Sequence, residues 1–144
     1  MPKGIPLTKE EYAERRHKIA HIAADLILEK GFTETSVQKI AKAVGIGKST
    51  MYDYFSTKDE IILYLMDEPL EELTQRAKAI IDSKGKAGER LYKVMFIHLE
   101  VLLRNKAYLI KLTFEAQRLG SEAQQYYQKK RYAYQDLLKA LIEA

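Results

Sequence analysis

Apolar residues recur at three- and four-residue intervals along nearly the whole chain, and no long stretch alternates polar and apolar at a period of two. The pattern predicts an all-α protein. A first helix starts near Lys9, where Thr8 and Glu11 have the spacing of a capping box, and carries Ile19, Ile22, Ala23, Leu26 and Ile27 along one face. Gly31 supplies its left-handed C′ residue, and Phe32 then turns inward. Two short helices follow. Thr35 and Gln38 form a second capping box before a face of Val37, Ile40, Ala41 and Val44; Gly45-Ile46-Gly47 is the turn; Met51, Tyr52 and Phe55 mark the next helix.

A third box, Thr57 with Glu60, opens a helix bearing Ile61, Ile62, Leu65 and Met66. Pro69 predicts a kink or break near Glu68 before the pattern resumes over residues 73–81, and Ser83-Lys84-Gly85 closes the segment. Leu91, Val94, Met95, Leu99, Leu102 and Leu103 mark a strongly apolar helix, and residues 107–119 another. Ser121 and Gln124 form a fourth box, opening a last helix whose Leu137, Leu138, Leu141 and Ile142 leave a stripe that the three preceding helices do not fully cover.

Composition narrows the function classes. A chain of 144 residues closes one or two small cores, and with no run of about 18 apolar residues no membrane span is expected. Residues 1–8 contain no apolar core of signal-peptide length, which predicts a cytoplasmic protein. The absence of cysteine removes disulfides, thiolate catalysis and cysteine-ligated zinc. With no glycine-rich phosphate loop, no nucleophile elbow and no His and carboxylate at catalytic spacing, neither an enzyme nor a cofactor is expected. His17 and His21 are i, i+4 neighbours but lie among Arg15, Arg16 and Lys18, and read as facing solvent or a DNA backbone rather than a metal. The net charge of +4 decides little. Its distribution says more: residues 35–58 hold Lys39, Lys42, Lys48 and Lys58 against Asp53 alone.

A helix-turn-helix needs a small residue where its helices cross, a glycine in the turn and an apolar wedge. Ala41, Gly45 and the set Ile40, Val44, Ile46 and Met51 meet these needs. The segment IAKAVGIGKSTMYDYFSTKDEI resembles the DNA-binding signature of TetR-type (TetR/AcrR) regulators, a likeness that runs in motif detail from Lys9 to about Met66. The resemblance implies an N-terminal helix-turn-helix domain over residues 1–57 and an antiparallel helical effector-binding and dimerisation domain over residues 58–144. It also implies a homodimeric repressor released from a palindromic operator by a small effector. Residues 48–54 would lie in the major groove as the recognition helix.

The side chains suit that reading. Lys48, Ser49 and Thr50 stand at the helix N-terminus, where lysine can donate to guanine O6 and N7 and threonine offers a methyl and a hydroxyl. Gln38 on the bracing helix can bridge adenine N6 and N7. Tyr52, Tyr54, Thr35, Ser36 and Lys58 are expected to hold phosphates, with Lys39 and Lys42 adding long-range attraction. Gly47, Ser49 and Asp53 depart from the usual family pattern, and Asp53 brings a carboxylate near the phosphate track.

For an apolar or aromatic effector the candidate lining is Phe96, Leu99, Leu103, Tyr108, Leu112, Phe114 and Tyr127. Family members usually continue for two further helices that build the dimer's four-helix bundle. The chain is therefore expected to be truncated at the C-terminus, or to dimerise through residues 126–142. The rival reading is a helical ligand- or protein-binding adaptor that does not touch DNA, which salt-dependent DNA binding would exclude.

Overall fold

The computed structural model describes residues 6–104 and 106–144, with the side chains of 106–108 outside the description. Among the described residues the regular structure is helical throughout, and no helix is long and apolar enough to cross a membrane. Contacts divide the chain into two units, residues 1–62 and 63–144, with the division inside a helix. The first turn of that helix is tied backward, through Arg16 to Glu60, and its Ile61 and Ile62 are fully buried.

In the first unit, α1 spans Lys9–Lys30, with the Thr8 hydroxyl accepting from the Glu11 N–H at 3.1 Å. Its buried face is Ile19, Ala20, Ala23, Ala24 and Ile27. Gly31 ends it at φ 89°, ψ 157°, a positive-φ conformation that is not the expected left-handed helical one but equally favours glycine. Phe32 is buried, as expected. The short helices are α2, Val37–Val44, and α3, Lys48–Tyr52. The Thr35–Gln38 box is not formed: Ser36 caps α2, accepting from the Lys39 N–H at 3.1 Å, while Thr35 turns inward and donates to the Gly31 carbonyl at 2.8 Å.

The long helix α4 spans Lys58–Ile81, started by the Thr57 hydroxyl accepting from the Glu60 N–H. It runs through Pro69 without the expected break. Proline removes one backbone donor, at a cost of roughly 3 kcal/mol. Leu65 and Met66 before it, and Leu73 and Ala77 after it, are all buried, and that burial outweighs the lost bond.

The second unit adds α5 (Ala87–Arg104), α6 (Lys106–Glu115), a 3-10 turn at Ala116–Arg118 and α7 (Ser121–Ile142). The Ser121–Gln124 box is absent. Ser121 is already helical, and the Gln124 amide reaches back to the carbonyls of Gln117 and Leu119. Leu73, Ala77, Val94, Ile97, Val101, Leu109, Tyr134 and Leu141 form the core, with Leu138 packed against it. Most of the α7 stripe is thus covered within its own unit: Leu141 is buried and Leu137 half-buried, leaving only Ile142 largely exposed. The uncovered apolar face lies instead on α5, where Tyr92, Met95, Phe96, Leu99 and Leu103 are all exposed.

Candidate nucleic-acid interface and helical cavity

The α2–α3 turn is built from its backbone outward. Gly45 sits at φ 86°, ψ 29°, where a side chain is strained, and this lets its N–H and that of Ile46 return to the Ala41 carbonyl at 2.9 and 3.0 Å. Ile40, Ala41 and Met51 are buried beneath the crossing, with Val44 and Ile46 half-buried. With Met51 as its anchor, α3 turns Lys48, Ser49, Thr50 and Tyr52 to solvent. Ser36, Gln38, Lys39 and Lys42 on and beside α2 are exposed as well.

Two residues that the sequence reading missed fix the end of α3. The Tyr12 hydroxyl donates to the Asp53 carbonyl at 2.8 Å, and its ring stacks on Tyr54 at 5.0 Å. Arg16 donates from Nε to the Tyr54 carbonyl, pairs with Glu60 at 3.1 Å and covers the Phe55 ring at 4.4 Å. One guanidinium therefore joins α1, the turn after α3 and the start of α4. Their i, i+4 spacing on α1 was the available signal, but two polar residues on an exposed helix turn carry no mark of their distant partners.

The structure separates the expected DNA-contacting residues into two groups. Thr35, at 1% exposure, and Tyr54, with its ring stacked and buried, belong to the interior. The expected recognition helix ends at Tyr52, and Asp53 and Tyr54 form the turn beyond it. Ser36, Gln38, Lys48, Ser49, Thr50 and Tyr52 remain on the surface. Lys58 is half-buried: its ammonium donates to the Phe32 carbonyl at 2.6 Å and lies 4.1 Å over the Phe32 ring, which leaves two donors. Asp53 is exposed and, among the described residues, its carboxylate has no ion-pair partner. His17 and His21 are both exposed on α1, their rings 4.2 Å apart.

Within the second unit, α4, α5, α6 and α7 line a half-open cavity of about 510 Å³. Met66, Pro69, Leu70 and Leu73 come from α4, and His98, Val101 and Leu102 from α5. Leu109, Ile110, Thr113 and Phe114 come from α6, and Tyr127, Arg131, Tyr134, Gln135 and Leu138 from α7. Two expected lining residues, Phe114 and Tyr127, are among them. Phe96, Leu99 and Leu103 lie elsewhere, 59%, 55% and 71% exposed on the outer face of α5, because that helix is apolar on both sides and turns Val94, His98 and Val101 inward. Leu112 is fully buried and does not line the cavity, and the side chain of Tyr108 lies outside the described residues.

His98 Nδ1 and Tyr134 Oη hydrogen-bond at 2.8 Å across the cavity wall. Burial pushes the His98 imidazole below its ordinary value and the Tyr134 phenol up to about 12. Both groups are therefore neutral at pH 7.

Residues 19–65 match the model of the bacterial regulatory proteins, tetR family. The chain is 32% identical over 108 residues to the HTH-type transcriptional repressor KstR2 of Mycobacterium tuberculosis, an alignment that takes in 75% of this chain and 54% of the relative. It thus spans about half the length of that protein. It is 30% identical over 136 residues to an HTH-type transcriptional regulator of Staphylococcus aureus, over 92% of this chain and 71% of the relative. Among solved structures, the transcriptional regulator FadR from Bacillus subtilis in complex with stearoyl-CoA superposes with a TM-score of 0.71 at 28% identity, over 87% of this chain and 67% of that one. With the motif region matched over residues 19–65 and the Staphylococcus relative matched over nearly the whole sequence, the chain belongs to the TetR family of bacterial regulatory proteins.

Proposed function

We propose that this protein is a cytoplasmic, sequence-specific DNA-binding repressor that acts as a homodimer on a palindromic operator and is released by a small apolar effector. The observation that carries the reading is α3: a short helix anchored by buried Met51 that leaves Lys48, Ser49 and Thr50 free at its N-terminal end. Side chains there reach base edges when such a helix enters the major groove. Tyr52, Ser36 and Lys58 would hold phosphates on either side, and Gln38 would add a base contact from α2. Tight coupling of α1, α3 and the start of α4 through Arg16 supports a rigid reading head.

The effector reading is supported by the 510 Å³ cavity, a volume within the usual range for small-molecule sites. Two relatives point the same way in their own names and contents: KstR2 is described as a ketosteroid transcriptional regulator, and the FadR structure holds stearoyl-CoA. No catalytic role is assigned to any residue.

Selection of bound sequences from random duplex DNA tests the proposal. The expected result is a palindrome whose half-sites lie one helical turn or a multiple apart, with the preference at one base pair of each half-site relaxed when Lys48→Ala protein is used. Failure to enrich any sequence at low salt, with the wild-type protein folded, would reject the DNA-binding reading in favour of an adaptor.

A further inference from the structure

We propose that Arg131 is the recognition point for a carboxylate, so that the cavity in the second unit takes an amphipathic carboxylic acid rather than a neutral apolar molecule. This deepens the effector reading above and rests on it.

The argument starts from α7, which turns Tyr127, Arg131, Tyr134 and Gln135 toward the cavity at helical spacing. A guanidinium carries five donors, and leaving them without acceptors in an apolar wall is costly. The other four arginines of this unit all have oxygen partners. Arg76 binds Glu72 and Glu100, Arg104 binds Glu72, Arg118 lies 3.8 Å from Glu115, and Arg90 donates to the Ile81 carbonyl. Arg131 is the exception among the described residues: it has no hydrogen-bond acceptor or ion pair, and its Nε is buried. The rings of Tyr127 and Tyr132 lie 5.8 and 5.5 Å from its guanidinium carbon, flanking the planar group without accepting its hydrogens in line.

Among the other polar groups at the wall, Tyr127 and Gln135 carry no formal charge and cannot offer a carboxylate a charged pair of donors. His98 and Tyr134 bind each other, and Thr113 donates to the Leu109 carbonyl. Asp67 on α4 is no rival ligand, because it pairs with Lys130, the residue before Arg131, at 2.5 Å. A half-buried guanidinium that lines an apolar volume without an acceptor is complementary to one chemical class, an aliphatic or alicyclic body ending in a carboxylate held by paired N–H···O bonds.

Isothermal titration of the whole chain with dodecanoate, below its micelle-forming concentration, and with dodecanol is the test. Melting curves without ligand establish that each variant is folded. The wild type is expected to favour dodecanoate about ten- to a hundredfold, the range for removing a charged hydrogen bond. Arg131→Gln should abolish that preference by weakening dodecanoate alone, Arg131→Lys should retain most of it, and Leu70→Trp, which fills the cavity, should weaken both ligands. If both ligands bind the wild type equally and Arg131→Gln changes neither, the acidic-ligand inference is wrong while the cavity reading survives. If Leu70→Trp leaves binding unaltered, or neither ligand binds, the cavity reading falls as well.

Discussion

Lys48 opens α3 and Asp53 follows its last residue, so one short helix presents opposite charges at its two ends to the same proposed partner. Lys9 and Arg15 border the depression that Asp53 lines with Thr50, but neither forms an ion pair with it. An unneutralised carboxylate near phosphates costs about 1 kcal/mol through water at contact distance, less with salt. Asp53→Asn is therefore expected to tighten operator binding about three- to fivefold. Lys48→Ala should weaken it about tenfold and relax the preference at a single base pair. Anisotropy titrations of both variants against the selected operator and its single-base variants decide this; an unchanged or weaker Asp53→Asn would place that carboxylate away from the phosphates or against a cytosine amine. Why sequence misplaced the neighbouring cap is also a residue-scale matter. Thr35 and Ser36 are consecutive hydroxyls, each with a suitable backbone N–H three residues on, and only the path of the chain after Gly31 directs one hydroxyl inward and leaves the other to cap.

At the scale of elements, helix starts and the α2–α3 turn were legible because their signals are local: Thr8, Thr57 and Gly45 act within four residues of themselves. What failed was the choice of faces. α5 is apolar on two sides, so periodicity offered both the Phe96–Leu99–Leu103 row and the Val94–His98–Val101 row, and only packing selects between them. That selection has a measurable consequence in the His98–Tyr134 bond joining α5 to α7. Burial lowers the His98 value below 6.5 in the folded protein, so as pH falls through 6.5 the unfolded chain takes up a proton that the folded one resists, and stability drops. Burial raises Tyr134 from 10 to about 12, so above pH 10 the unfolded chain loses its proton first, and stability drops again. The pair thus contributes most between about pH 6.5 and 10. Thermal unfolding from pH 7 to 5 should fall more steeply for the wild type than for His98→Gln, beyond the offset of about 1 kcal/mol from the lost hydrogen bond. Parallel curves would mean that His98 titrates freely.

Over the whole molecule, bulk charge points away from the proposed interface. Residues 1–62 hold ten Lys and Arg against nine Asp and Glu, a net of +1, while residues 63–144 carry +3. Attraction to DNA must then come from local placement. Lys42 and Lys48 are exposed and have no acceptor among the described residues, whereas Lys39 and Lys58 each give one donor to a carbonyl oxygen, of Glu34 and Phe32, and keep two. If all four meet phosphates or bases, counterion release predicts a slope of log affinity against log salt of about −3 to −4 for each bound copy, doubled on a palindrome that holds two. Lys42→Gln should reduce the steepness by about one per copy and leave the order of sequence preference intact, because a phosphate contact positions without specifying. Titrations at several salt concentrations measure both quantities. A slope unaffected by Lys42→Gln and Lys48→Gln together would move the charge contact to the more basic second unit, and the binding would then be the sequence-independent kind that net charge alone provides.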